Sequence, residues 1–372
     1  MKVLLVSKAC LVGVYQRKLE EIAAHTDVDL TVAVPARWKD ERGVIHLERA
    51  HTDGYELVVE TLLFNGNYHL HFYPKLAQRI HQLQPDIVHV DEEPYNFATW
   101  HAMRLAKHVG ARTLFFSWQN IARQYPWPFK HMERAVLAGV DAAICGNQDA
   151  ATVWRQKGYK GPTAVIPQFG VDPVLFPLRE PAPDSTQRFV VGYIGRLVYE
   201  KGVDLLLEAF ARLPEHTQLE IIGSGPQQRN LERQINDLGL FKRVRFTPWL
   251  PSHAMPARLQ ALDVLVLPSR SLARWKEQFG RVLIEAMASG VPVVGSTCGE
   301  IPNVIDTAGI VFPEGDAAAL ATILTELFAS PENLKNLAER GRTRILEHFT
   351  QARIATETVA VYRRMMQIAP MV

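Results

Sequence analysis

Short apolar runs alternate with stretches of helical periodicity along almost the whole chain, and this alternation constrains the fold more than any other feature. In the first half Val3–Val6, Leu30–Val34, Ile87–Val90, Thr113–Phe116 and Ala142–Cys145 have the length and composition of buried strands. Most are followed by amphipathic segments, among them Phe72–Leu83, Phe97–His108 and Phe129–Ala138. Strand followed by helix, repeated, builds a parallel sheet covered on both faces. Between Pro162 and Pro183 the pattern stops, because six prolines with Gly161 and Gly170 suit neither a helix interior nor a central strand. Beyond it the alternation restarts. Strands are expected at Phe189–Ile194, Gln218–Ile222, Val244–Phe246, Val264–Leu267 and Val291–Gly295, between helices at Val203–Leu213, Gln227–Leu238, His253–Ala261 and Gly280–Ser289. A further helix is expected at Leu320–Phe328, and the last long amphipathic stretch, Glu332–Met366, is broken near His348-Phe349. The expected fold is α/β, with two facing Rossmann-like doubly wound parallel-sheet domains. Ligands of such sheets bind beyond the strands' carboxyl ends, so a facing pair can hold two substrates.

Composition agrees and narrows the chemistry. A chain of 372 residues is too long for one hydrophobic core. Hydrophobic residues at 47% and charged residues at 22% describe a globular protein. A net charge of +2 argues against a nucleic-acid partner. Cys10, Cys145 and Cys298 are scattered, which supports neither a disulfide framework nor a zinc site and fits a reducing, cytoplasmic setting. Val3–Val6 is too short for a signal-peptide core or a membrane span and reads as a first strand. Without a basic amphipathic helix evident in the sequence, contact with the inner membrane face is expected to be peripheral at most.

Two constellations carry the chemistry. Arg196 leaves the end of a strand and Lys201 approaches the next helix, so one loop can present both cations to a diphosphate; two solvated loop charges are the plain alternative. Further on, a helix begins near Gly280, and its free amides and positive dipole end form an anion site that the glycine lets a phosphate approach. Glu285 lies five residues along, about 7.5 Å at 1.5 Å per residue, roughly the reach from a diphosphate to the ribose of the same nucleotide. Its carboxylate suits two vicinal hydroxyls, and Glu277, ahead of the helix, would accept from sugar hydroxyls. An acid favouring a helix dipole plus a solvated helical Glu is the alternative.

These residues resemble family 4 of the glycosyltransferases, which have the GT-B fold. The resemblance covers nearly all of the second half, from GRLVYEKGVDLLLEAF through EIIGSGPQ and FTPWLP to VLPSRSLARWKEQFGRVLIEAMASGVPVVGSTCGEIPNVI, and Glu-x7-Glu is its most specific element. It implies that Arg196 and Lys201 hold the donor diphosphate, Glu285 the ribose and Glu277 the donor sugar. Amides of Phe279, Gly280 and Arg281 would reach phosphate and sugar oxygens, and Pro248-Trp249-Leu250 would bracket the base. It also implies retention of anomeric configuration, with diphosphate leaving from the face the acceptor attacks. The final helix would return to the first domain. The expected organisation is thus 1–168 with about 350–372 for the acceptor, a linker at 169–186, and 187–349 for the donor.

The first half departs from the family pattern. Only Gly13 stands where a Gly pair is usual, and Phe116-Ser117-Trp118-Gln119-Asn120 replaces a segment that often carries His-Asp, leaving Gln119 and Asn120 as substitutes. Glu92 and Glu93 follow a strand and could bind a polyol acceptor or be solvated loop acids. His69 and His71 would share one side of a strand. Glu300 stands where Gly-Gly is usual, so the donor sugar does not carry over from relatives. Asp27-Val28-Asp29 has the form of a metal-binding DxD but precedes a strand, and reads as a turn; Gly223-Ser224-Gly225-Pro226 lacks the third glycine of a dinucleotide fingerprint. No metal or cofactor is expected. The implied activity is hexose transfer from a nucleotide diphosphate sugar, with uridine preferred, to a hydroxyl of a glycan, a lipid-linked glycan or a small molecule. A nucleotide-sugar 2-epimerase and a non-catalytic nucleotide-sugar binder are the competing readings.

Overall fold

The computed structural model describes residues 1–40, 43–179, 189–250 and 254–367. It divides into two compact units, Met1–Gly170 with the segment from Gln351 onward, and Val171–Thr350. In chain order the first contains β1 (Lys2–Val6), α1 (Gly13–Ala23), β2 (Asp29–Pro35), β3 (Arg37–Asp40), β4 (Gly43–His46), β5 (Glu56–Glu60), α2 (Leu76–Leu83) and β6 (Ile87–Val90). There follow α3 (Phe97–His108), β7 (Arg112–Ser117), α4 (Phe129–Gly139), β8 (Ala142–Cys145), α5 (Gln148–Gln156) and β9 (Thr163–Val165). Its parallel sheet has the order β5-β2-β1-β6-β7-β8-β9, while β3 and β4 form a separate antiparallel hairpin. The chain reverses its direction of growth between β1 and β6, the position where doubly wound sheets hold ligands.

The second unit contains β10 (Phe189–Ile194), α6 (Val203–Phe210), β11 (Thr217–Ile222), α7 (Gln228–Asp237), β12 (Val244–Thr247), α8 (Met255–Gln260), β13 (Val264–Leu267) and α9 (Arg281–Ala288). It continues with β14 (Val293–Ser296), α10 (Ile301–Ile305), β15 (Ile310–Phe312), α11 (Ala317–Ala329) and α12 (Pro331–His348). Its order, β12-β11-β10-β13-β14-β15, places the reversal between β10 and β13. Strands buried on both faces, such as β1 and β13, are continuous apolar runs, as parallel sheets require.

The last helix, α13 (Gln351–Gln367), belongs to the first unit and packs on α1. Its buried Tyr362 hydroxyl sits 2.7 Å from Nδ1 of His89 in β6, and Arg363 forks onto both oxygens of Asp27 at 2.7 and 2.9 Å. The second contact gives the acidic turn before β2 a use in fixing that helix. Within the expected linker, Val171 and Arg179 bond to Phe349 and Ser289 of the second unit, and 180–186 lie outside the described residues. The expected helix at His253–Ala261 is described from 254 onward, as α8. His69 and His71 are not on a strand. Asn67 turns the chain there, its side-chain oxygen accepting from the amides of His69 and Leu70 and its carbonyl from that of His71.

Candidate functional site

At the reversal point of the second unit, β10 and β13 run side by side, and each ends two residues before a polar residue of the site, Arg196 and Ser269. The loop after β10 is held from three directions. Tyr193 donates its hydroxyl to the Arg196 carbonyl at 2.8 Å, and the Leu197 amide bonds the carbonyl of Ser224 in the turn after β11. The Arg270 amide donates to the Glu200 carbonyl, and its guanidinium lies 4.4 Å from the Tyr199 ring and binds Asp204 at 2.5 Å. Gly223-Ser224-Gly225-Pro226 is thus a strand-to-helix turn that braces the cation loop.

The two constellations distinguished in the sequence form one site. Lys201 Nζ lies 2.5 Å from Glu277 Oε2, across 76 residues of sequence, and 5.2 Å from the centre of the Trp275 ring. The same Glu277 oxygen accepts from the buried Ser269 hydroxyl at 2.9 Å, and Ser296, the last residue of β14, donates to the Ser269 carbonyl at 2.5 Å. Sequence reading missed both serines. Their signal is a polar residue directly at the end of an apolar strand run, VLVLPS and VVGS. Arg196 is exposed, and its guanidinium has no hydrogen-bond or ion-pair partner among the described residues.

Gly280 caps α9 at φ +78°, a conformation that favours glycine, and α9 starts at Arg281 with no side-chain cap. The Leu283 amide turns back onto the Gly280 carbonyl at 2.8 Å, so the turn is closed by backbone and no side chain stands over the start of the helix. Phe279, at the turn, is buried with its ring 5.8 Å from that of Phe349. Glu285 is buried one turn along the helix and accepts from Arg281 Nε at 2.8 Å. Burial pushes its carboxyl up, and Arg281 opposes that shift. Glu300 bonds through its amide to the Glu277 carbonyl and through its carboxylate to Asn303, which brings the departure from Gly-Gly to the backbone of Glu277 itself. Pro248-Trp249-Leu250 directly follows β12, and Trp249 is 58% exposed.

The first unit gathers a different set at its own reversal point. Ser7 donates to Asp91 at 2.6 Å, Lys8 binds Glu92, and His71 Nε2 lies 3.5 Å from the other Glu92 oxygen. Burial alone raises the Glu92 carboxyl, but the Lys8 ammonium and His71 outweigh it and hold the group at about 2. Glu93 turns the other way, accepting from the Ser117 hydroxyl at 2.6 Å and the Trp118 amide at 2.8 Å. Neither acid is a solvated loop charge. Gln119 is buried within its own loop, bonded to the Ile121 carbonyl and the Tyr125 hydroxyl, and Asn120 is buried beside it. At Gly13 the amide at the start of α1 is taken by Glu48 Oε2 at 2.6 Å, a partner 35 residues away that the sequence did not suggest.

Burial raises Glu93 to about 7 against the two donors that favour its anion. As pH rises from the ordinary 4.5 to about 7, the unfolded chain releases a proton that the folded chain keeps, so stability falls through that window by about 3 kcal/mol. Glu92, held low, acts below the window, its contribution being lost as pH falls from 4.5 towards 2. In Glu93→Gln the fall between pH 4.5 and 7 is expected to disappear. Urea unfolding across that range checks it, and parallel profiles for the two proteins would contradict the assignment.

The family description "Glycosyltransferase Family 4" matches residues 14–173, and "Glycosyl transferases group 1" matches 178–344. The GDP-mannose-dependent alpha-(1-6)-phosphatidylinositol monomannoside mannosyltransferase of Mycolicibacterium smegmatis is 31% identical over 267 residues, covering 66% of this chain and 68% of the relative. A lipopolysaccharide core biosynthesis glycosyltransferase of Rhizobium meliloti is 33% identical over 218 residues, 58% of this chain and 62% of its own. The crystal structure of Anabaena HepE in complex with UDP superposes with a TM-score of 0.75 at 19% identity, over 98% of this chain and 100% of that one. Two parallel-sheet domains with this organisation are those of GT-B glycosyltransferases. The chain belongs to glycosyltransferase family 4.

Proposed function

We propose that the protein is a metal-independent, retaining hexosyltransferase. It would move a sugar from a nucleoside diphosphate hexose to a hydroxyl of a glycan or lipid-linked glycan. The observation that carries the reading is the convergence of Lys201, Glu277 and Ser269 just ahead of the glycine-led start of α9. The leaving diphosphate develops negative charge as the glycosidic bond breaks. Arg196, Lys201 and the positive dipole end of α9 would offset that charge, and the loop that carries the two cations is already held by backbone bonds, so little reorganisation is needed. Glu277 fixes the ammonium of Lys201 and offers a carboxylate to the sugar, and Glu285 exchanges Arg281 for the ribose hydroxyls. The acceptor oxygen attacks the face that the diphosphate leaves and passes its proton to a departing phosphate oxygen. No step requires a protein base.

The donor base follows from the nucleotide that binds. Uridine is the first choice from the sequence, and a relative named for GDP-mannose makes guanosine the second arm of the same experiment. Incubation with UDP- or GDP-hexoses and a panel of glycan acceptors is expected to give a product with the donor's anomeric configuration, read from its proton coupling constant. An inverted product would overturn the mechanism. An epimerised donor formed without acceptor would favour the 2-epimerase, and binding with neither outcome a non-catalytic role.

A further inference from the structure

The loop that carries Lys201 and the segment that leads from β13 to Glu277 hold each other by exchanged cations. Arg270, just past Ser269, lies 4.4 Å from the centre of the Tyr199 ring, and Lys201 in return lies 5.2 Å from the centre of the Trp275 ring. The Arg270 amide donates to the Glu200 carbonyl at 2.9 Å, which ties the two segments together by backbone. Beyond that tie the chain folds back on itself. The Leu272 amide donates to the Trp275 carbonyl at 2.8 Å and the Trp275 amide to the Leu272 carbonyl at 3.2 Å, an antiparallel bridge around Ala273 and Arg274. Ser271 anchors the first arm of this small hairpin, its amide donating to Glu314 at 2.7 Å and its hydroxyl to Cys298 Sγ at 3.5 Å. Trp275 is thus placed by main-chain bonds, with its ring half-buried against Lys201.

The ring and Glu277 act on the ammonium in different ways. The Glu277 carboxylate binds it at 2.5 Å and offsets its charge. An indole attracts a cation through its quadrupole and carries no net charge, so an ammonium held against it keeps its charge for a third group. The ammonium stands on a flexible four-carbon stem, and holding it in one place costs rotamer entropy. A wall on one side of the stem lowers the part of that cost that falls on ligand binding. We propose that Trp275 is a positioning residue for Lys201: its ring keeps the ammonium aimed while a nucleoside diphosphate competes with Glu277 for it. The inference rests on the reading of Lys201 as a donor to the leaving diphosphate. Sequence alone conceals the pair, because ring and cation meet only through the tie between Arg270 and Glu200.

The test is steady-state transfer by Trp275→Phe and Trp275→Leu, each made in the wild-type chain and in Lys201→Ala. Leucine fills space but has no quadrupole, so its kcat is expected to fall ~3–30-fold, whereas phenylalanine keeps a ring and should recover most of the rate. Affinity for UDP or GDP, whichever binds, should weaken in the same order. In the Lys201→Ala chain Trp275→Leu is expected to cost nothing further in rate or in nucleotide affinity, because the group through which it acts is gone. Thermal unfolding shows which variants are folded, and Trp275→Met carries the same comparison should the leucine variant unfold. Leucine as active as phenylalanine, or an equal loss in both backgrounds, would reduce the ring to packing and overturn the proposal. Wild-type turnover in Lys201→Ala would instead count against the proposed reaction, which makes the two failures distinct.

Discussion

Lys201→Ala is expected to lower kcat by about 10²–10³ with the protein still folded. The ammonium is half-buried, 2.5 Å from Glu277, and stands on the loop that also presents Arg196. On the proposed mechanism its removal takes away a donor to the leaving diphosphate, and it also takes the cation from the Glu277 carboxylate, which keeps the Ser269 hydroxyl. The second effect makes the residual site repel the diphosphate it should stabilise, so the loss should exceed that of neutralising the exposed Arg196. Lys201→Arg keeps the charge but presents a planar fork where a compact ammonium fits, and partial activity is expected. Steady-state transfer kinetics alongside thermal unfolding check the result. Turnover at the wild-type rate in the folded alanine variant would remove Lys201 from the mechanism.

Gly202→Ala is expected to be strongly destabilising for a single added methyl. The residue sits at φ +68°, and a Cβ there would stand 2.0 Å from the backbone oxygen of Pro268. The left-handed backbone alone costs ~1–2 kcal/mol for a residue with a side chain. Relieving an overlap with a backbone atom adds ~1–3 kcal/mol, because Pro268 joins β13 to Ser269 and cannot swing aside as a flexible side chain would. Together these correspond to a fall of roughly 10 °C in the Tm of the second unit. The same displacement moves Ser269 away from Glu277 and Lys201 out of register, so donor affinity should fall with stability. A variant with unchanged Tm would mean that the loop is less closely seated than the contact implies.

The sequence made the central strands legible because a strand buried on both faces is a continuous apolar run. The bounds of β6, β8, β10 and β13 coincide with those runs. Edge elements were not legible. In β5 the sequence Glu-Leu-Val-Val-Glu carries charge at both ends and pairs on one side only, β9 and β15 have three residues each, and the hairpin β3–β4 is polar enough to pass for a loop. The site divides along the same line. Arg196, Lys201, Glu277 and Glu285 stand out as candidates in the sequence because each has a local position, at a strand end or a helix start, that suggests a role. Ser269, Ser296, Lys8 and Glu48 do not, because each acquires a partner only when strands or loops distant in sequence become neighbours.

The central claim is that the carboxyl end of the second unit's sheet holds a nucleoside diphosphate through Lys201, Arg196 and the start of α9. Titrating UDP and GDP into the full chain while following its thermal unfolding tests this most directly, since a ligand that binds only the native state raises Tm with concentration. The account predicts a saturable rise with one of the two, a much smaller rise with the matching monophosphate, and loss of the rise in Lys201→Ala. Indifference to both diphosphates, or an equal rise in Lys201→Ala, would contradict it.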